Sequence, residues 1–203
     1  MTEKAARQRR SVRGERRRRA ILEGAVEVIA ELGVRGATHR AVAARAGVPL
    51  ASTTYYFASR DELVAAAFEH LATSEIAELE SGARQLPARL SIDEAAALLS
   101  AAVAADFEGR LVQLRAEHEL HLEAGRVPEL RATHERWEAA AMGFFVALVR
   151  AAGSRDPEGD AAILLCAVSG QQLGQLANPD PEFEDELLQP VIHRLLSALI
   201  TDA

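Results

Sequence analysis

Across residues 16–32 the apolar side chains Ile21, Leu22, Ala25, Val28, Ile29 and Leu32 fall three or four positions apart, and Gly33 ends the run. That spacing lines one face of an α-helix. It recurs in segment after segment, and no stretch alternates apolar and polar residues as a half-buried strand does. The chain is therefore expected to be all-α, with about nine helices. Composition agrees. Hydrophobic residues make up 49%, largely Ala and Leu, and aromatics only 4%; Ala and Leu lose least on entering a helix. At 203 residues the chain is long enough to bury a core, as one domain or two small ones.

Punctuation divides the chain. Residues 1–13 are basic and aperiodic and are expected to form a disordered arm. Residues 14–74 read as one head. Its first helix is followed by a short one with Thr38 as N-cap and Ala41, Val42 and Ala46 facing inward, ending at Gly47. Val48 and Pro49 make a turn, and a second short helix runs from about Leu50 to Tyr56. The sequence "SRDE" (59–62) reads as a capping box opening a longer helix through Val64, Phe68, Leu71 and Ile76. Residues 75–203 read as a second, helical domain. There "SGARQLP" (81–87) is a connection and "SIDE" (91–94) a second capping box. A further helix spans 106–125, Pro128 begins one that reaches Ala152, and two strongly apolar helices cover 160–176 and 183–200.

The net charge of −7 conceals an asymmetry. Residues 1–60 hold 13 Lys and Arg against 5 Glu, whereas the remainder holds 10 Arg against 25 Asp and Glu. A basic end that meets a polyanion and an acidic body that does not would be built this way. The single cysteine, Cys166, lies in an apolar run and suits a reducing compartment. The basic N-terminus lacks the apolar core of a signal peptide, and no apolar stretch reaches membrane-spanning length. A cytoplasmic protein is expected.

Two short helices joined at Gly47, directly after a longer amphipathic one, form a helix-turn-helix over about residues 37–56. In that motif the second short helix enters the major groove of duplex DNA. Leu50, Ala51, Ser52, Thr53 and Thr54 are small or hydroxyl-bearing, which permits close approach, methyl contacts and hydrogen bonds to base edges. The chain has nine aromatic residues, and three stand together at Tyr55, Tyr56 and Phe57. Tyr55 is expected to reach a phosphate and Phe57 to fill the head's core; Tyr56 stays open between the two roles.

These segments, "AILEGAVEVIAELGVRGATHRAVAARAGV", "STTYYF" and "SRDEL", resemble the N-terminal DNA-binding domain of the TetR family of bacterial transcriptional regulators. Pro49, Leu50 and Ala51 stand where that family often has Ser, Lys and Gly. Carried over by position, the resemblance implies that Thr38, Arg40, Tyr55 and Arg60 touch the DNA backbone and that Leu50 to Thr54 read bases. It also implies a homodimer whose last two helices form a four-helix bundle. Leu164, Val168, Leu173, Leu188, Ile192, Leu195 and Leu199 are the expected interface, with Gly170 and Gly174 allowing close approach; one buried intrachain core is the competing reading of the same apolar residues. The middle helices would hold an unidentified small-molecule effector, lined by Phe107, Leu114, His118, His121, Trp137 and Phe144.

No metal and no cofactor are expected. His118, His121 and His134 are the candidate ligands, and zinc needs three or four converging ones. No Gly-rich phosphate loop, Ser elbow or HExxH motif suggests an enzyme. The function expected is a homodimeric repressor that a ligand releases from its DNA operator. A ligand-responsive activator is the first alternative. A basic membrane-surface module is the weaker one, because the apolar face of the arginine-rich helix carries no Trp or Phe for lipid.

Overall fold

Left-handed backbone at Gly33 and Gly47 sets the boundaries of the N-terminal helices. In the computed structural model, the backbone of residues 3–200 is described, with the side chains of 12–200 except that of residue 185. Helix α1 (Glu3–Gly36) breaks at Gly33, where φ is 68°. Then come α2 (His39–Arg45), α3 (Leu50–Tyr56), α4 (Arg60–Gln85), α5 (Ile92–Gly109), α6 (Leu111–Ala124), α7 (Pro128–Ala151), α8 (Pro157–Ala177) and α9 (Gln189–Leu199). Nine α-helices and no strand are present among the described residues. Helix α1 starts at Glu3, so residues 3–13 are helical where a disordered arm was expected. The local reason is composition: Ala, Arg and Gln favour helix, and no Gly or Pro precedes Gly14. Residues 1–2 and 201–203, the outermost parts of the expected arm and C-terminal domain, lie outside the described residues.

The chain packs as two units: residues up to Ala72 together with Val112–Thr133, and Thr73–Leu111 together with the residues from His134 onward. In the first, α1 buries Ile21, Leu22, Ala25 and Ile29, α2 buries Val42 and Ala43, and α4 buries Leu63, Val64 and Phe68. Each such large side chain contributes about 1.5–3 kcal/mol by leaving water. Gly24 lets α1 and α2 approach closely: a Cβ there would lie 3.1 Å from the backbone nitrogen of Ala46. Helix α6 adds Leu114, Ala116 and Leu120 to this unit, and the hydroxyl of Thr133 donates to the Glu69 carboxylate at 2.9 Å. The expected division at 74–75 placed residues 112–133 in the other domain.

In the second unit, α5, α8, α9 and the later turns of α7 share a core that includes Leu99, Leu148, Leu164, Ile192 and Leu196. The capping box at its entry is complete: Ser91 Oγ accepts from the Glu94 N–H at 3.2 Å, and the Glu94 carboxylate accepts from the Ser91 N–H at 2.8 Å. Those bonds from Ser91 hold the Glu94 carboxyl below its ordinary pKa. At α4 the box is displaced by one residue. Ser59 Oγ accepts from Glu62 N–H at 3.1 Å, but the Glu62 carboxylate accepts from Ala58 N–H at 2.7 Å.

Several boundaries differ from the sequence reading. Helix α4 continues through "SGARQ" to Gln85, because Gly82 costs a helix only about 1 kcal/mol and two turns of good helix formers surround it. Residues 106–109 of the helix expected over 106–125 belong to α5, which ends at Gly109, and the chain re-enters helix at Leu111. Helix α8 starts a turn early because Asp156 caps it, accepting from Gly159 N–H at 3.2 Å. Residues Phe183–Leu188 form a π-helical turn ahead of α9. Pro190 has no N–H and crowds the carbonyl four residues earlier, which favours that wider turn.

Gly47 has φ 63° with open space where a side chain would lie, so its requirement is one of backbone alone. Gly47→Ala is expected to lower stability by about 1–2 kcal/mol, and Gly47→Asn by less, read from the urea midpoints at equal slope.

Candidate nucleic-acid interface

Helix α3 has two faces, and the packing of the first unit separates them. Thr53 and Phe57, four residues apart, are buried at 0% and 2% exposure. Leu50, Ala51, Thr54 and Tyr55 are exposed, Tyr55 at 81%, and Ser52 is half-buried. Pro49 supplies the entry geometry with φ −58° and no side-chain cap. The turn before it is closed by the Val48 N–H, which donates to the Ala43 carbonyl at 3.0 Å. Thr38 caps α2 as expected, its Oγ1 accepting from the Ala41 N–H at 3.2 Å. Its hydroxyl hydrogen is left to donate outward. Arg40 is exposed in the first turn of α2 and has no ion pair among the described residues.

Three of the expected contact residues are otherwise engaged. Thr53 does not present its hydroxyl to a groove: it is fully buried, and Oγ1 donates to the Leu50 carbonyl at 2.8 Å. Tyr56 resolves inward, with its hydroxyl donating to the Gly14 carbonyl at 3.2 Å and its ring edge-on to Tyr55 at 5.0 Å. Arg60 binds protein: Nη2 donates to the Val34 carbonyl at 2.6 Å and Nη1 to Asp61 at 3.2 Å. The break at Gly33 explains the last, since it leaves the terminal carbonyls of α1 in need of donors. Arg45 is paired with Glu27, at 3.3 Å, and with Glu31.

In the second unit α8 shows apolar residues on both sides, which a linear reading merges. Leu164 and Val168 of α8, Leu188, and Ile192 of α9 are buried in the unit's own core, so they are corrected from interface to core. Leu195 and Leu199 pack against the margin of that core. Leu173 is 53% exposed, and Ile163 and Leu187, apolar residues of the same two helical segments, are exposed with it. Cys166 is exposed on α8, and a Cβ at Gly170 or Gly174 would meet nothing within 4 Å.

The six expected effector residues divide between the units. Leu114, His118 and His121 belong to the first, where His118 Nδ1 lies 3.0 Å from the Leu114 carbonyl and His121 meets Phe68 edge-on at 5.6 Å. Phe107, Trp137 and Phe144 belong to the second, where Phe107 stacks edge-on to Phe183 at 5.5 Å and Phe144 to Phe145 at 5.6 Å. Among the described residues no group of three His, Cys, Asp or Glu is placed to hold a metal.

A charged cluster that sequence reasoning missed lies in the second unit. Arg110, at the end of α5, pairs with Glu75 and Glu78 of α4 and with Asp106, the latter two at 2.9 and 3.3 Å. Gln172 Nε2 reaches Asp106 at 3.5 Å. Burial, and then the charge of Glu78, pushes the Asp106 carboxyl up to about 6. The four-residue spacing of Asp106 and Arg110 was the one signal for it in the sequence.

The fold and the exposed α3 surface define a helix-turn-helix regulator, and known proteins agree. Residues 21–67 match the model of bacterial regulatory proteins of the tetR family, and residues 90–200 match the tetracyclin repressor-like C-terminal domain. Multidrug binding protein EbrR, in a crystal structure complexed with proflavin, is 33% identical; the match covers 88% of this chain and 99% of that one, with TM-score 0.59. A TetR-family member from Streptomyces coelicolor is 28% identical over 92% of this chain and 99% of its own, with TM-score 0.67. A transcriptional regulator from Rhodococcus sp. Rha1, at 24% identity, 92% and 99% coverage and TM-score 0.75, shares the fold. No curated protein sequence matches the chain. The chain belongs to the TetR family of DNA-binding transcriptional regulators, which are not enzymes. No helix among the described residues is long and apolar enough to cross a membrane.

Two substitutions test these placements. Thr53→Val is expected to cost about 1 kcal/mol of stability and to leave DNA sequence preference unchanged, measured by urea denaturation and by competition between duplexes. Asp106 protonates more readily folded than unfolded, so its stabilising protonation is complete below pH 3.8 and lost as pH rises through about 6. The difference in melting temperature between the intact protein and Asp106→Asn should therefore change across that window and be flat above it.

Proposed function

We propose that the chain is a cytoplasmic homodimeric repressor that occupies a palindromic operator and is released by a small molecule. The observation that carries the reading is the α3 surface: Leu50, Ala51, Thr54 and Tyr55 face outward while Thr53 and Phe57 hold the helix from behind. Leu50, Ala51, Ser52 and Thr54 read base edges, and Thr38, Arg40 and Tyr55 contact phosphates. Arg60 and Tyr56 act indirectly, by fixing α3 and α4 against α1 through the Val34 and Gly14 carbonyls. Two heads reading half-sites about 34–36 Å apart require a dimer. The exposed residues Ile163, Leu173 and Leu187, with the bare backbone at Gly170 and Gly174, form its contact.

The effector acts on the second domain and passes its effect through α4, which carries residues of both units. It must favour the released state over the DNA-bound one, because a ligand of equal affinity for both shifts nothing. EbrR was crystallised with proflavin and with ethidium, so these two dyes are the first effectors to test.

Fluorescence anisotropy with duplexes tiled across the DNA upstream of the protein's own gene tests the reading. One duplex is expected to bind tightly and to be released by effector. Tyr55→Phe and Arg40→Ala are expected to weaken all duplexes alike, each by about fivefold to tenfold. Leu173→Glu is expected to leave a folded monomer by sedimentation. Failure of every upstream duplex to compete better than random DNA would remove the operator claim.

A further inference from the structure

Residues 13–19 place five arginines and one glutamate along two turns of α1, a span of about 9 Å. Arg13, Arg16, Arg17, Arg18 and Arg19 are all exposed, and none forms an ion pair or hydrogen bond among the described residues. Two other cations of the same unit are held by protein groups: Arg45 by Glu27 and Glu31, and Arg60 by the Val34 carbonyl and Asp61. The concentration of like charge reaches its neighbours. His70 of α4 sits in the first unit beside a groove of about 400 Å³ rimmed by Glu15, Arg16, Arg18 and Arg19. Burial, chiefly, lowers its pKa; Arg18 and Arg19 push the same way, against Glu23.

Two contacts tie this charge to the end of α3. The Tyr56 hydroxyl donates to the Gly14 carbonyl at 3.2 Å, and the Arg18 guanidinium stands 5.6 Å from the centre of the Phe57 ring. The arginine turns of α1 are thus fastened beside the C-terminal end of the helix whose outer face carries Tyr55. Helix α3 itself has no Lys or Arg, so the phosphate attraction that dominates protein–DNA affinity must be supplied from elsewhere in the head.

We propose that the arginine face of α1 is a second DNA-binding surface, gripping backbone phosphates of the duplex beside the half-site that α3 enters. The proposal rests on the helix-turn-helix reading and extends it to a surface outside that motif. Guanidinium matches phosphate by paired N–H donors, and a helical scaffold presents several at fixed spacing. The apolar residues that follow, Ile21, Leu22 and Ala25, are buried in the unit's core, and beside the arginines the described residues of α1 expose Val12 but no aromatic anchor for lipid. The missing aromatic anchor and the contacts to the end of α3 favour duplex DNA over a membrane surface.

The test follows binding of the full chain to a random-sequence duplex several helical turns long, between about 50 and 200 mM KCl. The combined variant Arg13→Ala, Arg16→Ala, Arg17→Ala spares Arg18 on Phe57 and keeps good helix formers. At about 0.9 per phosphate contact, its slope of log affinity against log salt is expected to be shallower by about 3 per subunit. The corresponding triple Lys variant should keep the original slope, and unchanged urea midpoints certify folding; a triple Gln variant serves if the Ala variant unfolds. Equal slopes for the Ala variant and the intact protein overturn the proposal and leave the helix-turn-helix reading standing. Absence of duplex binding by the intact protein overturns both. Arginine-dependent flotation with phosphatidylglycerol vesicles, alongside an unchanged DNA slope, assigns the surface to membrane and also overturns the proposal.

Discussion

Burial of the inner face of α3 is the constraint from which the head's design follows. A seven-residue helix cannot stand alone in water, since nucleation consumes most of what its few hydrogen bonds return. Phe57 and Thr53 anchor it to a core built by α1, α2 and α4. With those two positions inward, Leu50, Ala51, Thr54 and Tyr55 remain exposed. The same anchoring draws in Tyr56 and Arg60, whose polar tips meet carbonyls of α1. The exposed surface of α3 is thus a consequence of how its reverse side is held.

The second unit obeys the same logic with a different outcome. Helix α8 is apolar over most of its circumference, and only one side can face the core. Leu164 and Val168 take that side, while Ile163 and Leu173 remain on the other with Gly170 and Gly174. A helix left so apolar on an outward face is what a partner helix would cover. Nearby, α5 ends in a cluster where three carboxylates converge on Arg110, and burial raises the pKa of one of them, Asp106.

Charge is distributed to match. Arg13 and Arg16 to Arg19 of α1 have no acidic partner among the described residues, whereas Arg45 and Arg60 are neutralised or bound. Acidic residues accumulate beyond residue 60. Attraction to a polyanion is therefore confined to one end of the chain, and the remainder repels it.

The sequence by itself determined the class of fold, the helix-turn-helix with its Gly47 turn and Thr38 cap, the complete capping box at Ser91, and the polarity of charge. Each of these rests on local rules: periodicity, propensity, a left-handed glycine, a hydroxyl at a helix start. Only the tertiary structure decided which of several equally apolar or polar residues on one helix faces in. Thr53 against Thr54, Tyr56 against Tyr55, and Leu164 against Ile163 are neighbours of similar chemistry, separated by about 100° of helix rotation. Likewise Arg60 met the Val34 carbonyl, and residues 112–133 joined the first unit, through partners distant in sequence. Side-chain type fixes what a residue can bind, but burial depends on the whole packed surface, which no local window of sequence contains.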